Sequence, residues 1–451
     1  MRENKVNPKN YLFSNQDLKK LIIPLIVEQF LAIFVGLADS IMVAWVGEAA
    51  VSAVSLIDTI MVLLINIFAA LGTGGAIIAG QALGRKKPEE GCEATEQLVL
   101  VAAISSTVIM ALVYIFKSFI LHVVFGKIDV PVMSNCNTYL LIVTASIPFL
   151  AIYNSGAAIH RAMGDSKTPM KMSLVMNGMN LAGNAVLLYG LGFGIEGAAI
   201  PTMISRVFAG LWMLRKLNDR KKTLHIRGII TLRPKGMVIR KILHVGIPYS
   251  LENSMFQLGK ILVLSLVSGF GTASIAANAV SNNVCNFAIL IGISMGYALS
   301  AVSAQCVGAG DYEQVRFYTR KLLKLAYAGI FLTNVFIVLI LPAVIHIYNL
   351  SPETGRMATE IIIYHAVCAI LIWVPSFTLP NTLRAANDVG YCMWVSIGSM
   401  WIFRIGFSFI LAKYLHMGVF GVWVAMTIDW FVRDIFFIAR YRGKKWQCRK
   451  I

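Results

Sequence analysis

Apolar runs of roughly 20 residues follow one another along almost the whole chain, separated by short polar stretches. A run of that length, wound as a helix, crosses the hydrocarbon core of a bilayer. Twelve such segments are read at 21–46, 51–79, 93–116, 133–156, 169–190, 196–214, 242–267, 275–301, 322–345, 358–381, 392–412 and 418–439. The pattern predicts an all-α membrane protein of twelve transmembrane helices. Several segments carry enough glycine and polar residues to face a helix bundle rather than lipid.

The punctuation of these segments is written twice, 224 residues apart. Pro24 recurs as Pro248, Glu28 as Glu252, Gly47 as Gly271, Gly72 as Gly296, Gln81 as Gln305, Gly84 as Gly308 and Gly197 as Gly421. A few residues must be slipped locally near 150 and 375. Glycine and proline mark bends and close approaches, so repeating them in register repeats a structural unit. The reading is an amino-terminal six-helix lobe (1–217), a basic cytoplasmic linker (218–238) and a carboxy-terminal six-helix lobe (239–451). Six spans is an even number, so both halves enter the membrane from the same side. A pseudo-twofold axis along the membrane normal then relates the lobes, with a cleft between them that rocks open to either side.

Composition sharpens this. The chain is 57% hydrophobic and 14% charged, with a mean hydropathy of +0.72, whereas soluble domains carry about 25% charged residues. The net charge of +18 is distributed by side. Thirty-two of the 40 Lys and Arg fall on the side of the amino terminus, and four (Lys117, Lys127, Arg356, Lys413) fall on the other. The remaining four, Arg206, Lys260, Arg404 and Arg433, lie within spans. That asymmetry is the positive-inside pattern with both termini cytoplasmic, and it removes the case for a nucleic-acid partner.

The first 20 residues are polar and basic and lack a signal-peptide cleavage site, so the first span is expected to stay in the mature protein. The seven cysteines show no metal-ligand spacing and read as small buried apolar residues. No GxxxxGK[ST] run is present, and Gly72, Gly74, Gly75 and Gly80 lie inside an apolar helix, where they serve packing. No HExxH, GxSxG or nucleophile–base constellation points to an enzyme. Energy for transport would come from an ion gradient, with no cofactor and no bound metal.

Ionisable residues inside spans carry most of the functional information, because each costs roughly 2.5–3.5 kcal/mol to insert. Asp39 sits mid-span in FVGLADSIMVAWVG, where desolvation disfavours its charged form and makes proton uptake accessible. Glu28 lies eleven residues earlier on the same helix face, and Glu252 repeats it; a structural and a transport role both fit that pair. Asn180 and Asn184, four apart, share a face that Asn177 extends, and Thr202 supplies another oxygen. Such oxygens suit an alkali cation or a protonated carboxyl, and they equally suit plain interhelix hydrogen bonds. In the second half Lys260 and Arg404 are further span-embedded polar groups, and Asp58, Arg206, His365, Asp429, Arg433 and Asp434 add to the set. Met172, Met176 and Met179 form a stripe that reads as core before cavity lining.

Taken together and in order, several of these segments resemble a known family. They are Pro24, GLADSIMVAWVG around Asp39, GQALGRKK at 80–87, HRAMGDSKTP at 160–169, the Asn180/Asn184 helix and GIEGAAIPT at 194–202. The second half echoes them with AQCVGAGD at 304–311, LRAAND at 383–388 and GVFGVWVA at 418–425. The chain resembles a multidrug and toxic compound extrusion (MATE) transporter, of the superfamily that also holds lipid-linked oligosaccharide flippases. The resemblance implies a V-shaped twelve-helix antiporter that exports organic cations and amphiphiles in exchange for H⁺ or Na⁺. It places coupling on Asp39, with Asn180, Asn184 and Thr202 at the surrounding cation-site positions. Some members carry a carboxylate on the tenth span; here VPSFTLPNT has none, so a second-half ion site of that kind does not carry over. The expectation is a monomeric, multi-pass cell-membrane exporter of cationic or amphiphilic small molecules. The alternative is a flippase for a lipid-linked cell-envelope precursor.

Overall fold

The computed structural model describes residues 11–126, 128–228, 233–348 and 350–448, and all regular structure among them is helical. Residues 1–10, Lys127, 229–232 of the linker and the last three residues, which entered the charge pattern above, lie outside that description. The first half contains α1 (Asn15–Ala44), α2 (Glu48–Gly84), α3 (Pro88–Ile115), α4 (Val130–Thr144), α5 (Ile147–Ala162), α6 (Lys167–Asn184) and α7 (Glu196–Leu217). The second half contains α8 (Gly236–Ser268), α9 (Thr272–Ala288), α10 (Leu290–Gly308), α11 (Tyr312–Ile347), α12 (Pro352–Cys368), α13 (Pro380–Ala385), α14 (Val389–Ser399) and α15 (Gly418–Arg442). π-helical turns continue α6 over Ala185–Gly190, join α12 to α13 over Ala369–Thr378, and continue α14 over Met400–Gly406 and Phe409–Tyr414.

Each of the twelve expected spans lies within a helix or within consecutive helical segments, to within two residues at its ends. Among the described residues, eight helical stretches are long and apolar enough to cross a membrane, and α4–α5, bent by 49°, adds a ninth. The expected spans that miss this test are α6, α8 and α15, and the reason is chemical. They carry Asn177, Asn180 and Asn184, then Glu252 and Lys260, then Asp429, Arg433 and Asp434. Apolar chains such as Trp45, at 73% exposure, and Leu339, at 74%, face outward, as suits lipid contact.

Helix boundaries repeat with the sequence. Ala44 and Ser268 end the first helix of each half, Glu48 and Thr272 begin the next, and the π turns at Ala185–Gly190 and Phe409–Tyr414 correspond. Gly47 and Gly271 stand in the same turn at φ of +127° and +92°, where a side chain would be strained. Local caps set other starts. Ser14 and Asp17 close a reciprocal box at the start of α1, with backbone-to-side-chain bonds of 2.9 and 3.1 Å. Asp311 accepts from the Gln314 N–H at 2.9 Å to begin α11.

Contacts divide the chain into two compact units. One comprises Val27–Leu83 and Lys87–Ser254; the other takes residues up to Ile26, Gly84–Lys86 and everything from Met255 on. The division therefore falls inside α1 and α8, not at the 218–238 linker. In the first of these units α2 and α8 approach closely at Gly74, where a Cβ would come within 2.8 Å of Gly246. In the second, Leu18, Leu21, Ile22 and Leu25 of α1 join a core with Tyr318, Val374, Phe437 and Trp446. The Tyr318 hydroxyl donates to the Phe13 carbonyl at 2.7 Å and accepts from the Phe13 N–H at 2.9 Å.

The linker departs from a purely soluble joiner. Leu224 and Ile226 are fully buried, and Leu224 fits a notch that only Gly91 leaves open, since a Cβ there would lie 2.5 Å from it. Gln97 of α3 bonds the Arg233 carbonyl and the Lys235 N–H, each at 2.9 Å. Of the cysteines, Cys92, Cys136, Cys285, Cys306 and Cys392 are buried and all seven are free. Met172 is buried in a core cluster with Met176 packed against it, which gives the methionine stripe a packing role.

Candidate functional site

The first-half site is assembled by α1, α6 and α7. Asp39 lies on α1 beyond the glycine-containing VGLA segment, partly buried. α6 carries Asn180 and Asn184 on one face because four residues is close to one helical turn, and both side chains are buried. The Asn184 amide donates to the Asp39 carboxylate at 2.9 Å, linking α6 to α1. The Asn180 amide donates to the Thr202 hydroxyl at 2.9 Å, linking α6 to α7, and that hydroxyl donates onward to the Ala198 carbonyl at 2.8 Å. Asp39, Asn180, Asn184 and Thr202 thus form one polar cluster across three helices. The Asn184 amide oxygen is buried with no hydrogen-bond donor, an acceptor that a cation or a protonated carboxyl could satisfy.

Three further groups complete the cluster. Asp58 of α2 and Arg206 of α7 interact electrostatically with Asp39, and Arg206 reaches the Ser146 hydroxyl at 3.5 Å. Both stood out in the sequence only as charges within spans, without assignment to this site. Tyr139 of α4 is buried and hydrogen-bonds Thr202; nothing in the sequence distinguishes it from other tyrosines in apolar spans.

The other candidates lie elsewhere. Asn177 donates to the Ser173 hydroxyl at 3.3 Å, one turn back along α6. Glu28 accepts from Arg161 of α5 at 2.5 Å, a pairing that ties α1 to α5. Glu252 is buried on α8. Asp429, Arg433 and Asp434 are all buried. Asp429 accepts from Arg433 at 2.9 Å and from Ser399, and Asp434 accepts from Ser376 at 2.7 Å. The VPSFTLPNT stretch of the tenth span, which has no acid of its own, thus meets one supplied by the last helix. Lys260 and Arg404 both line a cavity of about 200 Å³ within the second unit.

Between the spans, Asp165 joins α5 to α6. It accepts from Lys222 at 3.0 Å and from Thr168 at 2.8 Å, with His160 at 3.4 Å. Burial pushes its carboxyl up, but the His160, Lys222 and Thr168 donors outweigh burial and hold it well below the usual carboxylate range.

Known proteins match over nearly the full length. The family model described as MatE matches twice, over residues 24–186 and 248–410, which is the same 224-residue register. The chain is 26% identical over 430 residues to the uncharacterized transporter YisQ of Bacillus subtilis (strain 168), covering 94% of this chain and 93% of that protein. It is 28% identical over 419 residues to the probable multidrug resistance protein YoeA of the same organism, covering 90% and 88%. Its fold is similar to a crystal structure of MATE in complex with MaL6, with a TM-score of 0.88 at 20% identity, covering 95% and 96%.

Proposed function

The chain belongs to the MATE family of multi-pass membrane transporters, and on that premise we propose that it exports cationic or amphiphilic small molecules in exchange for H⁺ or Na⁺. Exchange would run by alternating access in the cell membrane, with both termini cytoplasmic, as a monomer, driven by the ion gradient without a cofactor. The observation that carries this is the Asp39 cluster. A carboxylate within a span, tied to Asn184 whose own amide oxygen lacks a donor, is a place where a proton or small cation gains partners it cannot find in lipid.

The mechanism follows from those contacts. With Asp39 ionised, its negative charge is offset by Asn184 and Arg206 and attracts a cationic substrate. Uptake of H⁺ or Na⁺ neutralises Asp39, removes that attraction and changes the bond that joins α1 to α6. Substrate leaves on the outer side, and the coupling ion leaves on the inner side when the carboxylate is exposed there. The test is substrate efflux from proteoliposomes under an imposed pH or sodium gradient, comparing the natural protein with Asp39→Asn. Acceleration by one gradient, lost in the variant, identifies the ion; full activity in the variant overturns the mechanism.

A further inference from the structure

We propose that the second half holds a separate binding site for an organic anion, in the cavity lined by Lys260 and Arg404. This goes beyond ion coupling at Asp39 and does not depend on it. The cavity, about 200 Å³, has apolar walls including Val263, Val422 and Met426, with Trp423 on one side. Its polar lining consists of Lys260, Arg404, Asn278 and Asn282, with no carboxylate. A lining of two cations and no acid attracts negative charge.

Neither cation is held in an ion pair among the described residues. Among the described residues no carboxylate lies within ion-pair distance of Lys260, whose ammonium sits 5.0 Å from the Phe256 ring. Arg404 is 8% exposed and its Nε is buried without an acceptor. Its guanidinium stacks 4.9 Å from the same ring. Asp429 interacts with Arg404 electrostatically, but the hydrogen bonds it accepts come from Arg433 and Ser399. A guanidinium whose Nε lacks an acceptor, beside a cavity without an acid, suits a bound carboxylate or phosphate.

The duplication gives independent support. At a spacing of 224 residues, Arg404 stands where the first half has Asn180, Val263 where it has Asp39, Asn282 where it has Asp58, and Met426 where it has Thr202. Lys260 stands at the position of Gly36. The same register that gathers the acidic cluster of the first half therefore lines this cavity, with both acids removed and two cations added. The ligand class is an amphiphile with one anionic head and a flat apolar body. Trp423 offers the body a ring face, held in place because its indole N–H donates to Asn278 at 3.0 Å.

The experiment uses the full chain in phosphatidylcholine nanodiscs, with equilibrium binding of 1-naphthoate and of its neutral isostere 1-naphthamide. Naphthoate is expected to bind about tenfold more tightly than naphthamide, with each of Lys260→Gln and Arg404→Gln removing most of that preference by weakening naphthoate far more than naphthamide. Lys260 is exposed, so its variant keeps the test valid should the buried Arg404 variant fail to fold. Adding phosphatidylglycerol separates two sources of the same head group: competition with naphthoate assigns the seat to a lipid phosphate, and no competition assigns it to a soluble anion. Equal affinity for the two probes, or unchanged naphthoate binding in folded Lys260→Gln, overturns the proposal.

Discussion

The first half gathers Asp39, Asp58, Asn180 and Thr202; the second, at the same four register positions, has Val263, Asn282, Arg404 and Met426. Helix ends, the left-handed turn glycines and a π turn recur in both halves. Backbone and site chemistry have thus separated: the repeated glycines and apolar faces hold the scaffold constant, while a handful of side chains sets the sign of charge on its interior. Packing shows a milder version of the same divergence. Gly74 meets Gly246 backbone to backbone in one compact unit, and the corresponding Ala298 and Ile22 belong to one apolar cluster in the other.

The contrast is most exposed at Asp39. Asp39→Asn keeps the size and the link to Asn184 but cannot exchange a proton or neutralise an ion, and gradient-driven efflux is expected to fall about 100-fold, on the scale of losing a proton-exchanging group. Val263→Asp restores in the second half the acid of the first. It is expected to pair with Lys260 and Arg404 and to weaken naphthoate binding about tenfold or more, read by the same nanodisc titration. The packing difference predicts unequal tolerance. Gly74→Ala, which drives a Cβ into the Gly246 backbone, is expected to cost about 1–3 kcal/mol. The mirror change Ala298→Gly should cost about 0.5–1 kcal/mol, and thermal unfolding of the purified variants compares the two.

The smallest effect concerns Asp165. Asp165→Asn removes the pairing with Lys222 and is expected to lower stability by about 1–2 kcal/mol at neutral pH. Because the folded-state value is depressed, the carboxylate stabilises above the unfolded value near 4 and loses that contribution as pH falls through the folded value. The natural protein and the variant should therefore converge in melting temperature below about pH 4 and diverge above it.

Much of this was legible in the chain. Apolar runs located the helices, because a span must be apolar for about 20 residues whatever packs beside it. The repeated glycines located the turns. Asp39, Asn180, Asn184 and Thr202 were nameable as polar groups in spans, but that Asn184 bonds Asp39 and Asn180 bonds Thr202 depends on helix rotation, which spacing does not fix. Tyr139 could not be singled out, since a tyrosine in an apolar span is usual. Lys260 and Arg404 were visible singly; reading Gly36 against Lys260 and Asn180 against Arg404 across the repeat would have put them in one place. The buried linker residues also left a trace, in the alternation of Leu224 and Ile226 inside an otherwise charged run.

Those two linker residues bear on how the protein can be taken apart. A gene split at residue 217, where the first half ends by repeat count, would put Leu224 on the opposite piece from α3 and the Gly91 notch it fills. A split between Gly228 and Arg233 leaves both anchorages intact, with Leu224 on one piece and the Arg233 and Lys235 backbone bonds to Gln97 on the other. Two co-expressed pieces cut there have only the Gln97 bonds to Arg233 and Lys235 to re-form across the break in this region, whereas a break at 217 leaves the Leu224 contact with Gly91 to be re-formed as well.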